Sequence, residues 1–155
     1  MKSVFSELLI YALLCAAAGQ SPALGESPQD ICSIPSQPDC RQAVAAFEAF
    51  QKAVTSDERK AVASMIRFPL RVRLGGKKAL VRDKSQLLHD YDTVFDSSVK
   101  CAIAHAKKTQ VRGNSQGFTV DDGVVWWERS HSPKSSFKAT RVDNRAFYHG
   151  CGEPR

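Results

Sequence analysis

The sequence predicts an α+β fold, in which helices pack on one face of a mixed or antiparallel sheet. Three observations support this prediction. Apolar residues recur every three or four positions over residues 39–54 and 85–105, which is the period of a helix. Residues 68–74 instead alternate between apolar and polar, which is the period of a strand. Further apolar runs within residues 117–148 are separated by turn signals, which indicates more strands.

Residues 1 to about 19 have the features of a cleavable signal peptide. Lys2 precedes an apolar run over residues 8–14, and small residues at positions 16–19 provide the side chains that a signal peptidase requires. The run is about half of the ~20 residues that a membrane-spanning helix needs, and no later segment approaches that length. We therefore expect an exported protein, periplasmic or extracellular, whose mature form has no membrane span.

After the predicted cleavage, a proline-rich lead-in over residues 20–38 precedes a single α+β domain over residues 39–155. Asp39 is expected to cap the first helix, over residues 39–54. Thr55 and Glu58 match a capping box, which predicts a second short helix that continues through Ile66.

The strand at residues 68–74 should return as a hairpin through Gly75-Gly76 and residues 79–81. Ser85 is expected to cap a third, longer helix that continues to about residue 105. Asp122-Gly123 lies between two apolar runs and predicts a second hairpin, because this tight turn needs a positive φ. A last strand is predicted over residues 137–148.

Four cysteines remain in the mature chain: Cys32, Cys40, Cys101 and Cys151. An even number in an exported chain predicts disulfide bonds. Of the three possible connectivities we favour Cys32–Cys40 and Cys101–Cys151. We expect no metal site and no cofactor, because the chain has no C-x-x-C pair and we place none of its histidines at ligand spacing from a cysteine.

Three motifs carry a resemblance to a known family. They are Phe68-Pro69-Leu70, the segment 84–95 with Tyr91-Asp92, and the segment 116–126 that ends in Gly123-Val124-Val125-Trp126. Over residues 40–150 the chain resembles the nuclear transport factor 2-like superfamily, and within it small exported bacterial proteins of poorly defined function. The resemblance implies a cone-shaped, curved sheet wrapped around three helices, with a pocket at its open end. The cysteine set departs from this family, which does not generally require it.

The superfamily uses this pocket for isomerases, dehydratases and hydrolases, for ligand binding and for subunit association, so the fold does not choose a function. An enzyme of this kind needs a base in an apolar cavity, with a tyrosine or an acid that stabilises developing negative charge. Tyr91, Asp92 and His89 are the catalytic candidates. Tyr91 is equally explained as a core residue, because it lies on the apolar stripe of its helix.

Trp126, Trp127, Arg71 and Arg73 are the candidate binding residues. Neighbouring strand residues point to opposite faces, so one tryptophan should fill the core while the other is covered by the lead-in or meets a partner. Arg71 and Arg73 should share the face opposite the apolar one, within a basic segment at residues 67–84. They either protect a sheet edge by their charge or face an anionic partner.

Our first hypothesis is an exported, non-enzymatic binding or protein-interaction domain, whose ligand is an unknown protein or small molecule; an anionic ligand is one candidate. Nucleic acid is not expected outside the cytoplasm, and no interleaved aromatic residues support it. The alternatives are a small pocket enzyme (an isomerase, dehydratase or hydrolase) and an inhibitor or immunity-type protein.

Overall fold

The computed structural model describes residues 40–114, 116–120, 123–130, 137–144 and 151. The predicted signal peptide, the lead-in and Cys32 lie outside the described residues, as do residues 145–148 of the predicted last strand. Within the described ranges, no helix is long and apolar enough to cross a membrane.

The described part contains five α-helices, one 3-10 turn and six strands. The helices are α1 (Cys40–Thr55), α2 (Arg59–Ser64), α3 (Lys84–His89), α4 (Tyr91–Val94) and α5 (Ser97–His105), and the 3-10 turn is Lys108–Gln110. The strands are β1 (Ile66–Leu74), β2 (Lys77–Val81), β3 (Arg112–Asn114), β4 (Gly117–Val120), β5 (Val125–Arg129) and β6 (Phe137–Asn144).

The six strands form one mixed sheet in the order β2-β1-β6-β5-β4-β3, and the sheet is not closed into a barrel. The β1–β6 pair is parallel, and every other neighbouring pair is antiparallel. Helices α1 and α4 contact the sheet, and α5 packs against α1. The predicted α+β class is therefore confirmed.

The core lies between the helices and the face of the sheet that they cover, which we call the inner face. Aliphatic side chains of β1, β5 and β6 project from it, among them Leu70, Val125 and Val142. Trp127 supplies the largest ring, with its centroid 6.0 Å from that of Phe47 and 5.7 Å from that of Phe50, both edge-to-face. These contacts anchor α1 on β5, so the core depends on Trp127.

The prediction of one long third helix was wrong, because the chain forms α3, α4 and α5 in its place. An aspartate stands before each of them, at positions 83, 90 and 96. Asp83 accepts a hydrogen bond from the Gln86 amide and Asp96 accepts one from the Val99 amide, each at 2.9 Å. Asp96 has an extended backbone, and a capping residue in that conformation ends α4 before α5 begins. Asp90, between α3 and α4, makes no hydrogen bond of this kind. The apolar residues nevertheless follow one helical spacing, because α3, α4 and α5 all direct their apolar side chains towards the same core. That spacing therefore did not show that the helix is broken.

Two smaller predictions also failed. Thr55 does not cap α2, because its hydroxyl donates to the carbonyls of Gln51 and Lys52 within α1. Ile66, which was expected to extend the second helix, is instead the first residue of β1. The short edge strand β3 was not predicted.

Candidate functional site

The candidate site lies on the outer face, which is the face of the sheet opposite the helices. Strand register aligns one row of residues across all six strands, and paired residues share a face. In sheet order this outer row is Leu80, Arg71, Arg141, Trp126, Thr119 and Arg112. The row therefore combines three arginines with an aromatic and an aliphatic side chain.

A groove with a volume of about 360 Å³ runs along one end of this row. We call it the basic groove; its charged lining residues are Arg71, Arg73, Lys78, Arg141 and Asp143, and its apolar lining residues are Val72, Ala79 and Leu80. Leu80 is 56% exposed, although large aliphatic side chains usually avoid water. The groove thus offers cations beside an apolar surface.

The cations of the groove outnumber its anions by four to one. Arg73 Nε lies 3.8 Å from the buried Asp143 Oδ1, and Arg71 Nη2 lies 3.9 Å from Glu128 Oε1. Glu128 is shared, because Arg67 also binds it. Among the described residues, neither Lys78 nor Arg141 forms an ion pair. Positive charge is therefore left over for an external anion.

Trp126 adjoins the basic groove through Arg141, whose guanidinium lies 5.5 Å from the centroid of the indole ring. This cation–π contact holds the guanidinium beside the indole ring. A bulge in β6 shifts the register between Trp126 and its neighbour, which brings Trp126 opposite Arg141. The bulge thus builds the aromatic end of the site.

Gly117 lets the backbone approach this position closely. A Cβ atom at Gly117 would lie 2.0 Å from the Trp127 carbonyl oxygen and 3.2 Å from the Trp126 indole nitrogen. Any side chain at Gly117 would push β4 away from β5, because the clashing atom belongs to the backbone of β5 and cannot move aside as a flexible side chain could. The close packing of β4 against β5 beside Trp126 thus explains why the segment 116–126 has glycine at position 117.

The two tryptophans take opposite faces, as strand alternation predicts. Trp127 is 4% exposed and belongs to the core, so it is not part of the outer face. Trp126 is half-buried on the outer face. Of the four candidate binding residues, the structure therefore brings together Trp126, Arg71 and Arg73 and separates Trp127 from them.

Tyr91, the central catalytic candidate, is fully buried and stacks on Phe95 at a centroid distance of 4.9 Å. In the described part of the chain, its hydroxyl has no hydrogen-bond partner. Burial raises the pKa of the Tyr91 hydroxyl to about 12. This group stays protonated at neutral pH, and its burial in the core keeps it away from solvent.

Asp92 belongs to an ion-pair cluster that we define by Asp57, Arg59, Asp92 and Lys100. Both terminal nitrogens of Arg59 donate to the Asp92 carboxylate at 3.0 Å, and Lys100 Nζ donates to it at 3.1 Å. These hydrogen bonds, the one from Lys100 first, hold the pKa of Asp92 below its usual value. Asp92 is thus ionised at neutral pH and already paired with Arg59 and Lys100, whereas a general acid needs a raised pKa.

His89 is 88% exposed at its side chain, and its imidazole lies 3.9 Å from Asp90. A second groove, of about 390 Å³, lies between α1 and the sheet, lined by Gln42, Ala45, Ala46, Met65, Trp127, Phe137 and Lys138. Neither groove is lined by Tyr91, Asp92 or His89. Where a catalytic cavity would need space, Phe50, Phe95 and Trp127 fill the interior. The three catalytic candidates therefore do not line either groove.

The predicted Cys101–Cys151 disulfide is present, with a Cα–Cα distance of 5.6 Å. Cys40 is also disulfide-bonded, and its predicted partner Cys32 lies outside the described residues. The premise that no histidine stands at ligand spacing from a cysteine was wrong. Cys101 and His105 are four residues apart on α5, and His105 Nδ1 lies 3.4 Å from Cys101 Sγ. The i,i+4 spacing in the sequence was the signal that could have shown this pair.

Arg141, Lys78 and Leu80 were missed as site residues by reasoning from the sequence. Arg141 is distant in the sequence from Arg71, and only the parallel register of β1 and β6 makes them neighbours. The available signal was a second predicted strand with basic residues, Lys138 and Arg141, within residues 137–142.

No protein-family model, curated protein or solved structure matches this chain. Function is therefore inferred from the chemistry of the outer face.

Proposed function

We propose that this protein is an exported, non-enzymatic binding domain that docks an acidic protein segment on the outer face of its sheet. One observation carries the proposal: the basic groove has four cations against one anion, and Arg141 and Lys78 have no ion-pair partner within the described ranges. Arg141 and Lys78 are both exposed, so an acidic partner can reach them, and charges of opposite sign across an interface attract and orient that partner.

The apolar side chains of the site favour a protein segment over a polysaccharide or a small anion. Leu80 and Trp126 lie in the same row as Arg71 and Arg141, so an apolar side chain lies at each end of a pair of arginines. An acidic segment that also carries an apolar side chain would match both the arginines and the apolar residues of this row. Trp and Arg are also the residue types that most often dominate binding energy at interfaces.

Several features support export and the family resemblance as parts of this proposal. The apolar N-terminal run predicts a signal peptide, and the Cys101–Cys151 disulfide suits a periplasmic or extracellular protein. A mixed sheet with helices on one face fits the cone-shaped fold of the nuclear transport factor 2-like superfamily. An inhibitor or immunity-type protein is a special case of the proposal, in which the acidic segment belongs to a secreted enzyme.

The pocket-enzyme alternative is less well supported. Its candidate residues Tyr91 and Asp92 are a core tyrosine and an ion-paired aspartate, on the opposite side of the sheet from the groove. We therefore propose a binding function and no catalytic role for Tyr91, Asp92 or His89.

A titration with a glutamate-rich peptide that contains one phenylalanine tests the proposal, with fluorescence anisotropy as the readout. Wild-type mature protein should bind it, and Arg141→Glu should weaken binding by about 10-fold, which is about 1.4 kcal/mol, because the change replaces an attraction by a repulsion at an exposed position. Lys60→Glu is the matched control, because it makes the same change of charge at an exposed position of α2. Equal losses in both variants would show non-specific attraction and would overturn the proposal, as would unchanged binding in Arg141→Glu.

A further inference from the structure

A second cluster lies at the end of α5, away from the outer face. Cys101, His105 and Cys151 each offer one metal-ligating atom, and these atoms all lie within 4.8 Å of one another. His105 is exposed and both cysteines are half-buried, so solvent and ions reach the cluster. In the oxidised protein the two sulfurs are bonded to each other and cannot bind a metal ion as thiolates.

The distances fit a tetrahedral metal centre once that bond is broken. Zinc binds thiolate sulfur at about 2.3 Å and imidazole nitrogen at about 2.0–2.1 Å, which separates adjacent ligand atoms by about 3.6 Å. His105 Nδ1 already lies 3.4 Å from Cys101 Sγ. The two sulfurs must move apart to about 3.8 Å. Rotation of the two side chains allows this, because the Cα atoms are only 5.6 Å apart.

We propose that reduction of the Cys101–Cys151 disulfide creates a Cys₂His site for zinc. A dithiol reductant supplies two electrons and two protons; the S–S bond breaks, two thiols form, and the reductant becomes its own disulfide. Zinc then forms bonds to both sulfurs and to His105 Nδ1, and the two thiol protons leave to solvent. Two thiolates balance the charge of Zn²⁺, and water fills the fourth position.

The donor set selects the metal. Thiolate and imidazole ligands suit zinc, whereas magnesium and calcium prefer oxygen. His105 Nδ1 now lies 2.9 Å from the Cys101 carbonyl oxygen, to which an Nδ1–H donates. Coordination requires the other tautomer, with its proton on Nε2 and a free lone pair on Nδ1. Metal binding therefore replaces the hydrogen bond between His105 Nδ1 and the Cys101 carbonyl oxygen by a bond from Nδ1 to zinc. Zinc also replaces the disulfide as the link between α5 and Cys151.

Zinc titration of the mature protein against a chromophoric chelator tests this site, before and after reduction with a phosphine. Oxidised protein should bind no zinc, and reduced protein should bind one equivalent. His105→Ala should weaken binding by at least about 10-fold, because the loss of a contact that only orients a ligand already costs about 10- to 100-fold. His89→Ala, which removes an exposed histidine elsewhere, should leave affinity unchanged.

Two further measurements keep the test decisive. Cobalt(II) in the reduced protein should give a thiolate charge-transfer band that Cys101→Ser and Cys151→Ser each weaken and that Cys40→Ser retains. His105→Cys should restore metal affinity to the level of the reduced wild type or above. Reduced protein that binds no zinc, or binds it equally well in His105→Ala, would overturn the proposal. So would a cobalt band that depends on Cys40 and not on Cys101.

Discussion

Two clusters of charge on this molecule have opposite balances. The ion-pair cluster of Asp57, Arg59, Asp92 and Lys100 has two cations and two anions, all in contact. The basic groove on the outer face has four cations and one anion. The first cluster is complete within the chain, whereas the second lacks negative charge that a partner can provide. The comparison separates charges that hold helices together from charges that are available for binding.

The ion-pair cluster also covers an apolar group. The Arg59 guanidinium lies 4.8 Å and the Lys100 ammonium 5.3 Å from the centroid of the Tyr91 ring. Its members come from the α1–α2 turn, α2, α4 and α5, so the cluster links four parts of the helical layer. Asp57 has a positive φ of 50°, a conformation that aspartate tolerates in turns. The role of the ion-pair cluster is therefore structural.

The largest expected effect on binding comes from Trp126→Ala. The substitution removes the apolar end of the site and the ring that orients Arg141, and hot-spot tryptophans cost about 2 kcal/mol or more when truncated, which is about 30-fold in affinity. Peptide titration measures the loss. Urea unfolding is the control, because a half-buried residue on the outer face should affect stability far less than the core residue Trp127. If Trp126→Ala binds the peptide as tightly as wild type, the aromatic end of the site is excluded.

The second-largest effect should come from salt, which should weaken peptide binding at the basic groove and leave the ion-pair cluster almost unaffected. The screening length falls from about 10 Å at 0.1 M salt to about 3 Å at 1 M. Peptide affinity should therefore fall by about tenfold over this range, because steering and attraction by the open groove are screened. The midpoint of urea unfolding should change little, since the ion pairs of the balanced cluster are exposed and such pairs contribute little to stability. Affinity that is independent of salt would contradict an electrostatic site.

Tyr91→Phe should have a smaller effect, and in the stabilising direction. The buried hydroxyl has no hydrogen-bond partner among the described residues, so its removal relieves a desolvation cost. We expect a gain of up to about 1 kcal/mol in the free energy of unfolding, measured with urea. Peptide binding should stay unchanged. A loss of stability would show that the hydroxyl has a partner.

The smallest expected effect is a change in the acid limb of the stability profile. The pKa values of Asp57 and Asp92 are lowered in the folded protein, so the unfolded chain takes up these protons first. Their contribution is complete above about pH 4 and is lost as pH falls through the lowered values. Asp92→Asn should therefore flatten the loss of stability below about pH 4. Urea midpoints across this pH range measure it, and Asp83→Asn is the control for a carboxylate outside the cluster.

The local elements were predictable because each depends on its own residues. The spacing of apolar residues placed α1 within one residue at each end, and Gly75-Gly76 correctly marked the β1–β2 hairpin. The break of the third helix was not predictable from the stripe, because Asp90 and Asp96 interrupt the backbone without disturbing the apolar face. Capping competes locally with helix continuation, and tertiary packing decides the outcome.

The candidate site was predictable only in part. Alternation placed Arg71 and Arg73 on one face, and it separated Trp126 from Trp127 without showing which of them is buried. The pairing of Arg71 with Arg141 depends on the register of two distant parallel strands, which packing sets. The basic segment at residues 67–84 already contains three of the four cations of the groove, and the register adds Arg141 and Asp143 to them.

The most direct test of the central claim is a two-dimensional NMR titration of the oxidised mature protein with the glutamate-rich peptide. We predict that the amide signals of Arg71, Lys78 and Arg141 and the indole signal of Trp126 shift on binding. The signals of Arg59, Asp92 and Lys100 should remain in place. Shifts that centre on the ion-pair cluster, or on Met65 and Phe137 at the second groove, would contradict the assignment of the outer face as the binding surface.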